Sequence, residues 1–155
     1  MTALSADVTA AGSATSPQAL AALIQAGDRT AQAVKLAGGA ASAAATDTAA
    51  ISGLGADVAA LAAQEASLPA GTDTSSVDTP LADLAAQLTA VQTALTNASM
   101  AVLALPAAPS ATDLRTARDT TGSALDSAET ALTTAAADLT AAQAALAALT
   151  PPAPA

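Results

Sequence analysis

Histidine, cysteine, phenylalanine, tyrosine and tryptophan are all missing from this 155-residue chain, and only four of its side chains are basic. Without histidine it has no side chain that ordinarily transfers protons near neutral pH. Without cysteine it has no thiolate nucleophile, no soft metal ligand and no disulfide, which fits a reducing compartment and equally a disulfide-free external particle. The carboxylates that remain stand singly: Asp28, Asp47, Asp57, Asp83, Asp113, Asp119, Asp126 and Asp138 each lie among alanine, serine and threonine. No local motif pairs them for acid–base work, so they read as solvated helix surface. The expectation is a non-enzymatic protein with no catalytic residue, no cofactor and no metal.

Scarce positive charge excludes partners as well. The net charge is −9, and the cations fall in two pairs, Arg29 with Lys35 and Arg115 with Arg118. Phosphate backbones and anionic lipids call for clustered cations, and two pairs are not a patch, so neither nucleic acid nor membrane is expected as a partner. No stretch of about 18 strongly apolar residues is apparent, which argues against a membrane span. Residues 1–16, MTALSADVTAAGSATS, lack the basic start and apolar stretch of a secretory leader. The missing aromatic rings, which normally dominate cores, leave thin seams of leucine flanked by alanine. Such helices draw most of their stability from packing against neighbours, so a homo-oligomer or docking on a partner is expected.

About a third of the residues are alanine, and the larger apolar side chains are almost all leucine and valine, at helical spacings. The fold class follows: all-α, with long heptad-patterned helices forming an antiparallel hairpin, bundle or coiled coil. Residues 1–16 show no helical period and read as an extended docking arm. Ser16-Pro17 is a cap-plus-proline helix start. Leu20, Leu23, Ile24, Ala31 and Val34 follow, then Gly38-Gly39, which either reverses the chain or lies inside one helix running from 17 to about 67. Ile51, Leu54, Val58, Leu61 and Leu68 continue the pattern. Residues 69–79, PAGTDTSSVDT, read as the one substantial loop, and Thr79-Pro80 as the next start. Leu81, Leu84, Leu88, Val91, Leu95, Ala98, Val102 and Leu105 then form a seam over a helix from 80 to 105.

The short segment 106–110 makes the last helix, 111–149, an antiparallel neighbour of the one before it. Ser110 caps it, with Asp113 as the acidic half of a capping box. Its seam runs Leu114, Arg118, Thr121, Leu125, Ala128, Leu132, Ala135, Leu139, Ala142, Leu146 and Leu149, alternating large and small from Leu125 onward so that two helices can approach closely. In this seam Arg118 would fix register, with Asp113 and Asp119 as nearby partners. Residues 150–155 are a proline-rich tail. Helices of about 76, 39 and 58 Å do not match in length, so a seam overhangs toward another copy or the first helix folds back at the glycine pair. The packing positions singled out are Leu81, Leu84, Leu88, Val91, Leu95, Leu125, Leu132, Leu139 and Leu146.

Three resemblances extend this reading. DLTAAQAALAAL, residues 138–149, resembles the Ala/Thr-rich helices of type I antifreeze proteins, but the eleven-residue threonine repeat of that family is absent. The alanine-rich amphipathic character resembles phasins, which coat polyester granules through a broad apolar face, whereas these seams are narrow. The whole chain, a polar arm followed by heptad helices rich in Ala, Thr, Asp and Gly, resembles small virion proteins of phages infecting high-GC bacteria: head fibres, decoration proteins or tail-associated fibres. That resemblance implies a bacteriophage structural protein located in the virion, its arm on a capsid or tail protein. The alternative is a cytoplasmic helical scaffold or granule-surface protein.

Overall fold

The computed structural model describes Ala10 and residues 16–150. Three helices run in sequence: α1, Pro17–Glu65; α2, Ser75–Leu103; and α3, Ala111–Leu149. No strand occurs among the described residues, and the fold is all-α. The expected arm falls almost wholly outside the described residues, as does the tail from 151; within the arm only Ala10, which is helical, and Ser16 are described.

Local chemistry sets the helix starts. At α1 the Ser16 hydroxyl accepts from the Ala19 N–H at 3.1 Å, with Pro17 as first helical residue. At α3 the capping box closes in both directions. The Asp113 N–H donates to Ser110 Oγ at 3.1 Å, and the Ser110 N–H donates to the Asp113 carboxylate at 2.8 Å. That second bond, chiefly, holds the Asp113 carboxyl below the ordinary carboxylate range.

Of the two readings of Gly38-Gly39 the continuous helix is the one found, and the start of the second helix needs correction. α1 runs unbroken through Gly38-Gly39; glycine alone costs a helix about 1 kcal/mol, and no turn-forming residue stands beside the pair to reverse the chain. α2 begins at Ser75, five residues before the expected start at Pro80. Thr74 is its cap, its carbonyl accepting from the Val77 and Asp78 N–H groups. Asp73 braces the same turn by accepting from the Ser75 N–H at 3.0 Å, which holds its carboxyl below the ordinary range. Pro80 therefore sits inside the helix, removing the N–H that would have met the Ser76 carbonyl. Burial explains the early start: Val77 is fully buried with Leu61, Ala142 and Leu146, a reward available only if the chain around it is already helical.

The chain divides into two compact units, each with a segment of all three helices. Unit 2, residues 45–94 and 126–155, holds most of the large buried side chains. Leu84, Ala135 and Leu139 pack with Leu54, Val58 and Leu88, while Leu61, Val77, Ala142 and Leu146 pack with Leu68, Leu81 and Leu149. In both clusters rising numbers on α1 meet rising numbers on α3 and falling numbers on α2. Within this unit α2 is therefore antiparallel to its neighbours, as the short connection requires. The α3 seam is most deeply buried at its alanines: Ala128, Ala135 and Ala142 are all 0% exposed. Small side chains at such fully buried positions allow neighbouring helices to approach closely.

Unit 1, residues 1–44 and 95–125, is leaner. Its buried apolar side chains are Ala40, Ala98, Leu114 and Ala117, together with Thr121 and Pro109. The seam expected for this part of α1 is mostly turned outward: Leu20, Ile24 and Val34 are exposed, Val34 at 62%, and Ala31 is exposed too. Leu23 of that seam does turn inward, joined by Ala26, Ala33, Leu36 and Ala37. Small residues let α1 come close, and the larger branched side chains fall on the far side. Arg118 is likewise exposed, with Ala117 buried in its place. A guanidinium does not fit a seam spaced for alanine, so the register role expected of it falls away.

By length and composition α3 is apolar enough to cross a membrane, with a window of mean hydropathy 1.2. The sequence expectation concerned strongly apolar runs; this window is weakly apolar, its hydropathy drawn from alanine and leucine together.

Candidate functional site

The assigned packing residues divide by depth. Leu84, Val91, Leu139 and Leu146 are buried, whereas Leu81, Leu88, Leu95, Leu125 and Leu132 are half-buried flanks. Leu84, Leu88 and Leu139 share one cluster, and Leu81 and Leu146 the other. These residues hold the fold together and leave no chemistry over.

A different set converges in unit 1, between α1 and α3. Helical spacing brings Gln25, Asp28, Arg29 and Gln32 of α1 onto one stripe and Leu114, Arg115 and Arg118 of α3 onto a facing one. They line an open hollow of about 400 Å³. A second hollow of about 420 Å³ adjoins it, sharing Gln32 and Arg118 as walls. Lys35 and Thr121 line this second hollow, with Leu36, Ala40 and Leu125 as its apolar surface. Gly39 and Gly122 leave its wall bare; a methyl group at either would meet nothing within 4 Å, so packing does not demand glycine there.

All four basic residues of the chain thus line one continuous cleft, against a single carboxylate, Asp28. The sequence shows two separated pairs; the fold makes one cluster of them. Among the described residues none of the four forms a salt bridge. Two polar groups of the cleft are buried without a hydrogen-bond partner, Arg29 Nε and Thr121 Oγ1. Thr121 contrasts with Thr130, Thr133, Thr134 and Thr140 farther along α3, whose hydroxyls donate to the carbonyl four residues back. The cleft therefore offers positive charge, amides and a hydroxyl beside an apolar wall, an arrangement suited to holding an anion. No group of three or more acidic residues among the described residues could hold a metal ion.

The cleft was illegible in the sequence because it depends on the register of α1 against α3. The three-residue spacing of Arg115 and Arg118 was visible, but nothing in one strand of text says which α1 residues lie opposite. Comparison with protein-family models, curated proteins and solved structures returns no match.

Charge and exposed apolar surface also divide between the units. Among the described residues unit 1 has four basic residues and three acidic ones, Asp28, Asp113 and Asp119, while unit 2 has nine carboxylates and no basic residue. The exposed large apolar side chains, Leu20, Ile24, Val34, Met100 and Leu103, all belong to unit 1.

Proposed function

We propose that this protein is a non-enzymatic structural component of a larger assembly that associates with further copies of itself through unit 1. One observation carries this: Leu20, Ile24 and Val34 lie exposed on α1 at spacings of four and ten residues, within an arc of about 80°. Ala40, the most buried residue of that segment, lies roughly opposite, so the stripe faces away from the chain's own core. Apolar stripes of this kind mark interaction surfaces. A second copy is the occupant that charge favours. The described part of unit 1 is close to neutral, four cations against three carboxylates, so two copies meeting there escape the like-charge repulsion that nine carboxylates without a cation impose on any contact between two copies of unit 2.

The specific setting we propose is a virion, with the chain as a fibre or decoration protein anchored by residues 1–16 to a capsid or tail protein. The support is the style of the sequence together with this self-associating surface. Sedimentation velocity tests the general reading: the wild-type chain should run above the mass of one copy at micromolar concentration, and Ile24→Lys with Val34→Lys should return it to a monomer of unchanged helicity. A wild-type monomer that unfolds sharply at that concentration would overturn it. For the setting, capsid, portal or tail genes beside this one are expected, and polyester-synthesis genes there would favour a granule surface instead. Deleting residues 2–15 should spare self-association and abolish incorporation into the particle.

A further inference from the structure

We infer that the cleft between α1 and α3 of unit 1 is a binding site for a small organic anion with an apolar body, a carboxylate or a phosphate monoester. The first argument is convergence. A chain of net charge −9 has four cations, and all four line this cleft. Each arginine has a carboxylate within two residues in sequence, Asp28, Asp113 or Asp119, yet none of the four cations forms a salt bridge among the described residues. Four cations against one carboxylate, Asp28, leave an excess of positive charge, and an anion seated among them reduces their repulsion.

The second argument is independent of charge. Thr121 is 3% exposed and lines the second hollow, yet its hydroxyl has no partner. A buried hydroxyl left unmet costs about 1–3 kcal/mol, and valine, of nearly the same shape, would avoid that cost. The oxygen is itself shielded from solvent, so it meets a ligand atom through a turn of the Thr121 side chain toward the hollow it lines. Arg29, which lines the first hollow, likewise holds its Nε shielded and without a partner. The third argument is shape and lining. Hollows of about 400 and 420 Å³ each fall within the size of small-molecule sites. Leu36, Ala40 and Leu125 give the second hollow an apolar surface, while Arg118 stands where the two hollows meet. An anionic head placed at Arg118 and Lys35 leaves its hydrocarbon body against those three side chains. A bare inorganic ion would leave that surface unused.

Isothermal titration of the full chain with octanoate and with octyl phosphate, each below its micellar concentration, tests the site. Saturable binding of one compound per chain by either is expected, and which of them binds more tightly identifies the head group. Inorganic phosphate alone should bind at least about tenfold more weakly, since it lacks the apolar body. Arg118→Gln should weaken binding about tenfold, and Thr121→Val several-fold, at unchanged helicity. Lys35→Gln, at an exposed position, serves as a further variant should Thr121→Val fail to fold. Amide resonances of Gly39, Thr121 and Gly122 should shift on titration. Ile24→Lys, outside the cleft, should bind as the wild type does, so that failure of this site and failure of self-association are separately visible. Absence of saturable binding by both compounds at millimolar concentration would overturn the inference. So would binding indifferent to Arg118→Gln and Lys35→Gln, or inorganic phosphate binding as tightly as octyl phosphate.

Discussion

Truncating Leu139 and truncating Leu132 are the same chemical change one heptad apart on α3, and the structure assigns them different costs. Leu139 is 6% exposed and sits with Leu84 and Ala135, enclosed by Leu54, Val58 and Leu88. Removing a buried leucine's outer carbons costs about 2–5 kcal/mol, depending on how far the surroundings collapse into the space. Here the surroundings are short side chains fixed on three helices, with no aromatic ring or methionine in the cluster to swing in. A value of about 3–4 kcal/mol is therefore expected for Leu139→Ala. Leu132 is only half-buried, flanking the alanine seam, and about half that loss is expected. For a domain of this size about 2–4 °C of Tm accompanies each kcal/mol, so Leu139→Ala should melt about 6–16 °C lower and Leu132→Ala about 3–8 °C lower. Circular dichroism is the suitable probe, because a chain without aromatic residues has no intrinsic fluorescence. Protein concentration must be held fixed, since the proposed self-association would make Tm concentration-dependent. Equal losses, or a larger loss for Leu132→Ala, would refute the packing scheme derived for unit 2.

Two further outcomes are expected. Asp113 is held below its ordinary pKa by the Ser110 N–H, so its contribution to stability is complete above the unfolded pKa and disappears as pH falls through the lowered folded value; urea denaturation across that acidic window should show stability falling with pH, and Asp113→Asn should flatten that part of the curve. Unit 1 has one large buried apolar side chain, Leu114, against Leu61, Val77, Leu84, Val91, Leu139 and Leu146 in unit 2, so the helical amides of residues 17–44 should exchange with solvent faster than those of 126–149; uniform protection over both stretches would contradict the difference in core.

The all-helical class and the cap at Ser110 were readable because each rests on local signals: periodicity, a serine three residues before an aspartate, and proline placed after serine. The start of α2 was not, although Asp73, Thr74 and Asp78 make a serviceable helix start in the text. Thr79-Pro80 looked equally good, and what decides between them is the burial of Val77 against Leu61 and Ala142, which are distant in sequence. The inner face of α1 failed for a related reason. Periodicity places Leu20, Ile24 and Val34 on one face, but it does not say that this face is the packed one. In a chain where methyl groups allow the closest approach, the face with the largest side chains is not always the inner one. The cleft needed the register of two helices, and no single-chain pattern encodes it.

The alanine seam of α3 also bears on how this sequence can change over time. Alanine-rich text looks redundant, as though one alanine were as good as another. The 0% exposed positions, Ala128, Ala135 and Ala142, are where helices touch, and a larger residue there forces them apart at a cost of about 1–3 kcal/mol. Ala136, Ala141 and Ala147, by contrast, are exposed and accept most helix-forming residues at little cost. One letter therefore stands for two unlike constraints, alternating every few positions. Drift should spare the first kind and erode the second, so that related chains would come to share a sparse ladder of alanines and little else.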